Sequence, residues 1–573
     1  MKMKREFKRY LRMLVAAVCM MFTITNTASA QSLTAPQSGI QSAYASNIAG
    51  NSSEYTVYDE VKEIIKDYYV DNVSQNVLDA PTIDEMIKRL NDPYTVYFTK
   101  EEYDDFMNTI NNSFCGIGVY IEAAPEGIKV ISTIKNSPAE EVSMKAGDII
   151  VKAGGVSLAG MSSENAVKYI KGAENTTVSL KILRDNKYLD FIVKRKMISQ
   201  PTVEAAMLNN GAAYIKILSF GEDTPDLFKE KLIESQKQNP SSYIIDLRDN
   251  GGGITTSAYD IAGYFIGTKP AVIMQDKLGN KLVYNGYDHG AVIDKPVFFL
   301  VNENTASASE ILSAAVKDYG KAYFIGTKTF GKGVAQSLID LMDGGELKIT
   351  VQKFFSPNGN VIQKKGITPD FEVKGSDALA AAQLLSGNSG TEKDKSGYME
   401  VMIGGKKFEI DLRQIAQSRK NSSEDVPLIS MEQYIKAYYD ILSKADSGKI
   451  FKGTSGGFVQ ASQDILSDPA GFIFKECQAK PELNDLAADK IFTVKFSTDI
   501  DMNSLKDAIL LIDSENGDSI ETEIKKSDDR TATVKAKNNL KNKHEYYLIV
   551  NNNVQTINGA VLKNCTLVKA VTK

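Results

Sequence analysis

Val297-Phe-Phe-Leu-Val-Asn-Glu-Asn-Thr-Ala-Ser307-Ala-Ser-Glu-Ile-Leu-Ser-Ala-Ala-Val-Lys-Asp-Tyr-Gly320-Lys-Ala-Tyr-Phe-Ile325 is the stretch that decides the fold. Five apolar residues read as a buried strand, a helix follows over 306–319 and ends near Gly320, and 322–325 reads as the next strand. The same beat recurs upstream. Ala213 to Leu218 and Tyr243 to Leu247 read as buried strands, and Pro225 to Gln238 and Thr256 to Ile266 as helices. Strands alternating with helices predict an α/β layered core, placed at 198–375. Gly and Ser spacers between Gly375 and Ser396 mark its end.

At 573 residues the chain is too long for one core, since domains run to roughly 150 residues. Its 43% hydrophobic and 24% charged residues are ordinary for soluble globular protein. Sixty-seven Lys plus Arg against 72 Asp plus Glu give a net charge of -5, so no cationic field is available for a nucleic-acid partner. Residues 1–30 combine a Lys/Arg-rich start, an apolar run from Met13 to Ile24 and Ala28-Ser29-Ala30, which predicts a cleaved signal peptide and a secreted or envelope-associated protein. A membrane anchor is the alternative, but the run falls short of the ~20 residues a span needs. Val18 argues against a lipoprotein at Cys19. The remaining cysteines, Cys115, Cys477 and Cys565, are odd in number and form no framework. Cys477 and Cys565 flank one segment, and both a pair and free thiols stand. Two histidines and scattered cysteines give no zinc spacing, so neither metal nor organic cofactor is expected.

Outside the core, 31–53 reads as a flexible leader. Residues 54–108 read as helical, from Val57, Val61, Ile64, Ile65 and Tyr68, from Ile83, Ile87 and Leu90, and from the capping box Thr99-Lys-Glu-Glu102. This region is expected to be scaffold or a homodimer contact rather than active site. Short strands over 118–122, 128–134, 148–153 and 178–184, with one helix at 162–170, make 109–197 a compact α/β module. Residues 376–470 are a linker and unassigned region, with a strand-like stretch at 399–410 and a helix-like one at 431–443. Alternating runs such as Phe492-Thr-Val-Lys-Phe496 and Tyr546-Tyr-Leu-Ile-Val550 make 471–573 an all-β sandwich.

Two segments carry residue types that regular structure does not require. Ser307 opens a helix, where backbone N–H groups can stabilise an oxyanion; simple capping is the bland alternative. Gly326-Thr-Lys-Thr-Phe-Gly331-Lys332-Gly333 has the spacing of a phosphate loop, but Gly333 stands where magnesium needs a hydroxyl. The competing reading is a lysine held between glycines. As a general base near neutrality it would need its pKa lowered by ~3 units from 10.4. A Ser-His-Asp triad would have to recruit His289 or His544, and His289 lies in a polar turn, so a Ser-Lys dyad is the better variant. Ser132-Thr-Ile-Lys135 has S-x-x-K spacing without the companion motifs of penicillin-binding enzymes and reads as a strand end.

The series Asp246-Leu-Arg248-Asp-Asn250-Gly-Gly252-Gly253, Thr305-Ala-Ser-Ala-Ser-Glu310, Gly331-Lys-Gly-Val-Ala-Gln336 and Gly366-Ile-Thr-Pro369-Asp370 resembles the motifs of the carboxyl-terminal processing peptidases, in order and spacing. Their 25-residue nucleophile-to-lysine separation selects Ser307 over Ser309. The resemblance covers about 55–385 and implies a crotonase-like core in which Ser307 attacks the peptide carbonyl, Lys332 takes its proton and Gln336 orients the lysine. Oxyanion donors would be the N–H groups of Ala308 and of Gly252 or Gly253. Gly251 departs from the family, which often has proline there. The same resemblance makes 109–197 a PDZ domain, with Phe114, Cys115, Gly116, Ile117 and Gly118 as the loop that binds a terminal carboxylate and 118–122 as the strand a peptide joins. Residues from about 481 resemble bacterial Ig-like domains, which implies a spacer or cell-wall contact. The expected activity is a secreted serine endopeptidase acting on protein or peptide substrates with free C-termini. A non-catalytic PDZ scaffold and a cell-wall structural protein are the alternatives.

Overall fold

A computed structural model describes residues 55–573, apart from 291–292, 374–376, 417–428, 462, 476 and 507. The expected signal peptide and leader lie outside the described residues. At the centre is a six-stranded sheet in the order Val203–Met207, Ala212–Ile217, Ser242–Asp246, Val297–Val301, Tyr323–Gly326, Phe371–Glu372. The first pair is antiparallel and the others parallel. Tyr243-Ile-Ile-Asp246 and Val297-Phe-Phe-Leu-Val301 are buried along their whole length, because both faces of a parallel sheet are covered.

Alternate side chains serve the two faces. Ala213, Ile215, Tyr243, Ile245 and Phe299 pack under the helices Thr224–Gln236, Thr255–Ile266 and Ala308–Asp318. Tyr214, Ile244, Phe298 and Leu300 face the other way, onto the helices Ala378–Leu385 and Met431–Lys444. The stretch left unassigned from sequence thus covers the second face of the central sheet. It carries a four-stranded sheet of its own, in which Tyr398–Ile403 and Lys406–Asp411 form a hairpin.

A second sheet joins Val96–Phe98 to Glu346–Phe355, and Glu346–Phe355 to both Val334–Asp340 and Pro270–Gln275. Val61, Ile64 and Ile65 of the helix Val57–Tyr68 share a core with Ile339, Leu347 and Ile349. The apolar face of that helix is therefore buried within its own chain.

Residues 113–199 form a separate module. Its sheet runs Val119–Ala124, Gly127–Thr133, Ile149–Ala153, Thr177–Arg184, Lys187–Lys194, and Ser163–Ile170 is its main helix. At the C-terminus, a sheet of Gln478–Ala479, Thr566–Thr572, Glu545–Val550 and Ile509–Asp513 faces a second of Ile491–Lys495, Thr531–Ala536 and Thr522–Asp528 over one core. Cys477 and Cys565 are joined in a disulfide that ties together the starts of the neighbouring strands Gln478–Ala479 and Thr566–Thr572. The sandwich is docked and not dangling: Ile512, Tyr547 and Ile549 enter the core beside Tyr438, and Lys436 pairs with Asp518 at 2.6 Å. No helix of the described residues is long and apolar enough to cross a membrane.

Candidate active site

Three loops leave the C-terminal ends of neighbouring parallel strands: 247–254 after Ser242–Asp246, 302–307 after Val297–Val301, and 327–333 after Tyr323–Gly326. Crevices at such strand ends are where open α/β sheets hold their chemistry. Arg248 clamps the end of the first strand, donating to Asp246 Oδ1 at 2.9 Å and Oδ2 at 2.6 Å while its other nitrogen reaches Asp377. The Asp246-Leu-Arg248 motif is thus an anchor for the loop that follows.

Ser307 precedes the first turn of Ala308–Asp318 with φ 57° and ψ −117°. A non-glycine residue in that region costs on the order of 1–3 kcal/mol and persists only where its surroundings over-determine it. They do so here. Thr305 Oγ1 donates to Leu247 O (2.8 Å), and Ala306 N and Ser309 Oγ both donate to Asn250 O at 3.0 Å. Asn250 is in turn tied by Nδ2 to Ile217 O. Gly252 lies so close that an added Cβ would sit 2.8 Å from Ser307 Cβ and 2.9 Å from Ala308 N, and at Gly253 it would sit 2.2 Å from Phe220 O. Only glycine fits at either place. The Gly252 N–H is donated to Asn250 Oδ1 at 2.8 Å.

Glu310 joins the serine to the lysine. Its Oε2 accepts from Ser307 N (3.0 Å) and Lys332 N (2.8 Å), and its Oε1 accepts from Thr329 Oγ1 (2.6 Å) and Gly331 N (2.8 Å). The side chain is fully buried. Burial pushes its carboxyl up to about 7, against the four hydrogen bonds, which favour the charged form. In the sequence Glu310 stands inside a motif with no role of its own assigned to it. Its signal was available as an acid three residues after a helix-opening serine.

Lys332 is also completely buried, with Nζ 4.6 Å from the centre of the Tyr94 ring. The glycines on either side are needed by the chain that crosses them. A Cβ at Gly331 would meet Gly366 N at 2.8 Å, and one at Gly333 would meet Gln363 N at 2.3 Å. The Gly366-Ile-Thr-Pro-Asp motif is thus a clamp on the lysine loop, with Ile367 N donating to Thr329 Oγ1 at 2.7 Å.

Gln336, on the strand that follows, donates from Nε2 to Thr350 Oγ1 at 3.1 Å, and its buried Oε1 has no hydrogen-bond partner among the described residues. Thr350 Oγ1 donates to Asp92 Oδ2 at 2.7 Å, as does Thr95 Oγ1, and Tyr94 N donates to Oδ1 at 3.0 Å. The expectation that 54–108 stays out of the site is corrected here: its Asp92-Pro-Tyr-Thr95 turn reaches the lysine. The strand Val96–Phe98, paired residue by residue with Glu346–Lys348, carries it there.

Phe114, Cys115 and Gly116 lie in the strand Ser113–Gly116, and Ile117 and Gly118 lead from it into Val119–Ala124. Gly118 has φ 79°, and a Cβ there would sit 2.3 Å from Ser137 Cβ. These five residues form a second group, outside the sheet whose loops carry Ser307 and Lys332. Both histidines are engaged by other groups: His289 Nε2 lies 3.0 Å from Asp260 Oδ1 with its ring stacked on Tyr264, and His544 lies 2.9 Å from Asp513. Asp513, Glu515 and His544 offer ligand atoms within 4.8 Å of one another, but Lys541 and His544 already take one Asp513 oxygen each.

Four family descriptions match the chain: Peptidase family S41 over residues 211–373, PDZ domain over 115–194, Activating protease CtpB N-terminal domain over 13–102, and Bacterial Ig-like domain over 477–568. A probable CtpA-like serine protease of Staphylococcus aureus (strain bovine RF122 / ET3-1) is 32% identical over 404 residues, which span 70% of this chain and 80% of the relative. One from Staphylococcus haemolyticus (strain JCSC1435) is 31% identical over 401 residues, or 70% and 79%. Among solved structures, a photosystem II D1 C-terminal processing protease aligns at 23% identity and a TM-score of 0.39, over 59% of this chain and 98% of that one.

Proposed function

The chain belongs to peptidase family S41, as a serine peptidase of the C-terminal processing type that carries a PDZ domain, and on that premise we propose that Ser307 is its nucleophile and Lys332 its general base. Ser307 Oγ attacks the scissile carbonyl, its proton passes to the Lys332 amine, and the lysine returns it to the leaving amine. Complete burial is the condition under which an amine works most readily in its neutral form. Gln336 orients the lysine. The developing oxyanion is assigned to the N–H groups of Ala308 and Gly253, since Gly252 spends its own on Asn250.

The observation that carries this reading is the Glu310 carboxylate, which bonds the strained Ser307 and the buried Lys332 loop at once. A helix cap alone would need neither the strain nor the second loop. Ser307→Ala and Lys332→Ala should each lower cleavage of a peptide with a free C-terminal tail by about 10³-fold or more. Cleavage at the unaltered rate by either variant would overturn the assignment.

The PDZ domain binds the free C-terminus of peptide substrates in its 114–118 loop and adds the tail as a strand beside Val119–Ala124. Amidating the tail should weaken capture, and an unchanged KM would remove that role. The Ig-like segment and the CtpA-like relatives suit an extracellular or envelope protein. Secretion is the finer reading, supported by the Cys477–Cys565 disulfide, a bond that persists in oxidising compartments. Cell-wall contact would fall to the Ig-like sandwich.

A further inference from the structure

We propose that Asp92 is a positioning residue for the reaction, fixing through Thr350 which end of the Gln336 amide is left to accept a hydrogen bond from the lysine. The inference rests on the reading above, in which Lys332 is the base and Gln336 orients it.

Hydrogen-bond polarity sets the orientation of the amide. An ionised carboxylate only accepts, and a hydroxyl has a single proton to give. Asp92 collects three donors: the Tyr94 N–H on Oδ1, and the Thr95 and Thr350 hydroxyls on Oδ2. The Thr95 oxygen is itself fixed, since it accepts from Thr350 N at 3.2 Å. Thr350 has therefore spent its only proton on Asp92 and can only accept from Gln336. That forces the amide to present Nε2 to Thr350, as the 3.1 Å contact records, and turns Oε1 away. Oε1 is then a buried acceptor with no partner among the described residues. Buried polar groups left in that state are few in folded proteins, and each calls for an explanation. A lysine amine, which has N–H protons to donate whether neutral or protonated, is the group it suits. Lys332 stands four residues ahead on the same strand entry, and the ring of Tyr94, two residues after Asp92, lies against its Nζ.

Without the Asp92 charge the chain of donors has no fixed direction. An asparagine there can donate to Thr350, which then gives its proton to Gln336 Oε1 and turns the amide end for end. The lysine would face a donor where it had an acceptor.

The test uses the full-length enzyme and a tail peptide with steady-state kinetics. Asp92→Asn should lower kcat by about 10- to 100-fold, a part of what a positioned general base supplies, with KM within about 2-fold. Thr350→Val should do the same and Thr350→Ser should keep most of the rate. The double variant D92N/T350V should be no slower than the slower single one, because both act on one link. An unchanged kcat for D92N while K332A is inactive would overturn the proposal alone. So would effects that multiply in the double variant, or equal rates for T350V and T350S. Should D92N fail to fold, the Thr350 pair decides, since loss of protein fold cannot distinguish Val from Ser by kcat at unchanged KM. A fully active K332A would overturn the proposal together with the reading beneath it.

Discussion

The helices Lys100–Ile110 and Ala308–Asp318 begin on the same four-residue pattern, Thr99-Lys-Glu-Glu102 and Ser307-Ala-Ser-Glu310, and differ in where the glutamate's oxygens go. At the first, Thr99 sits in extended backbone with φ −65°, and Glu102 Oε2 takes both the N–H and the hydroxyl of Thr99 at 2.9 Å. The pair is exposed and closed on itself, and those bonds hold the Glu102 carboxyl below its usual range. At the second, the backbone turns to φ 57°, and three of the four hydrogen bonds to Glu310 come from the lysine loop. Burial there raises the carboxyl despite the four bonds, whereas at Glu102 the bonds from Thr99 meet little burial and prevail. One pattern is thus a helix cap when solvent surrounds it and a cross-brace between the Ser307 and Lys332 loops when protein does.

Glu310→Gln should sharpen that contrast most. The amide keeps the shape but offers one acceptor oxygen, and its NH2 confronts two of the four donors. A loss of about 2–4 kcal/mol in stability is expected from buried charge-assisted bonds left unmade. We expect kcat to fall by at least about 100-fold, on the scale of losing a positioned catalytic group. An E310Q enzyme with normal kcat would reduce this helix start to a cap like the other.

The two glutamates should also part company with pH. Glu310 titrates near 7 in the folded protein against an ordinary 4.5. Its folded state keeps a proton that the unfolded chain has released, so the contribution of Glu310 to stability falls as pH rises through that window. Denaturation midpoints of the unaltered enzyme, compared with E310Q, should decline from about pH 4.5 to about 7 and then run parallel. Activity should climb over the same range as the carboxylate forms its four bonds. Glu102 has the opposite sign: its depressed value gives stability above the unfolded pKa that is lost as pH falls. A difference curve against E310Q that stays flat across neutrality would mean Glu310 is charged throughout.

What separates the two starts is tertiary, which is also why the sequence reveals one half of the site better than the other. The alternation from 213 to 325 is legible because strands covered on both faces must be continuous apolar runs, as Val297-Phe-Phe-Leu-Val301 is. Ser307, Lys332 and Gln336 are legible only as a spaced series, since each has an innocent local reading. The sheet built on Glu346–Phe355 escapes notice because its buried residues include Glu346, Lys348 and Thr350, so the apolar signature of a strand is broken. Asp92 and Tyr94 carry no local mark of function at all. Their place beside the lysine depends on pairing Val96 with Lys348, about 250 positions away in the chain. The region 376–470 hides for a related reason: its partner is the far face of a sheet formed by other segments.

The smallest effect belongs to the ordinary cap, and it tests how separate the two helix starts are. Thr99→Ala removes one cap hydroxyl at an exposed site and should cost about 1 kcal/mol of stability. On the capping argument alone, kcat should stay within about 2-fold, because no bond of Thr99 reaches the Ser307 loops. The far end of that helix does, however, approach them. Ile110 packs on Ile254, directly after the Gly252-Gly253 turn, its carbonyl accepts from Ser219 Oγ at 2.7 Å, and Asn111 Oδ1 accepts from Glu222 N. If fraying the first turn merely shortens the helix by a few residues, these contacts survive and the rate holds. If T99A instead lowers kcat as much as it lowers stability, the helix moves as one rod against the Gly252-Gly253 turn. The exposed cap would then have been part of the active site's support from about eleven residues away, a length the helix Lys100–Ile110 spans.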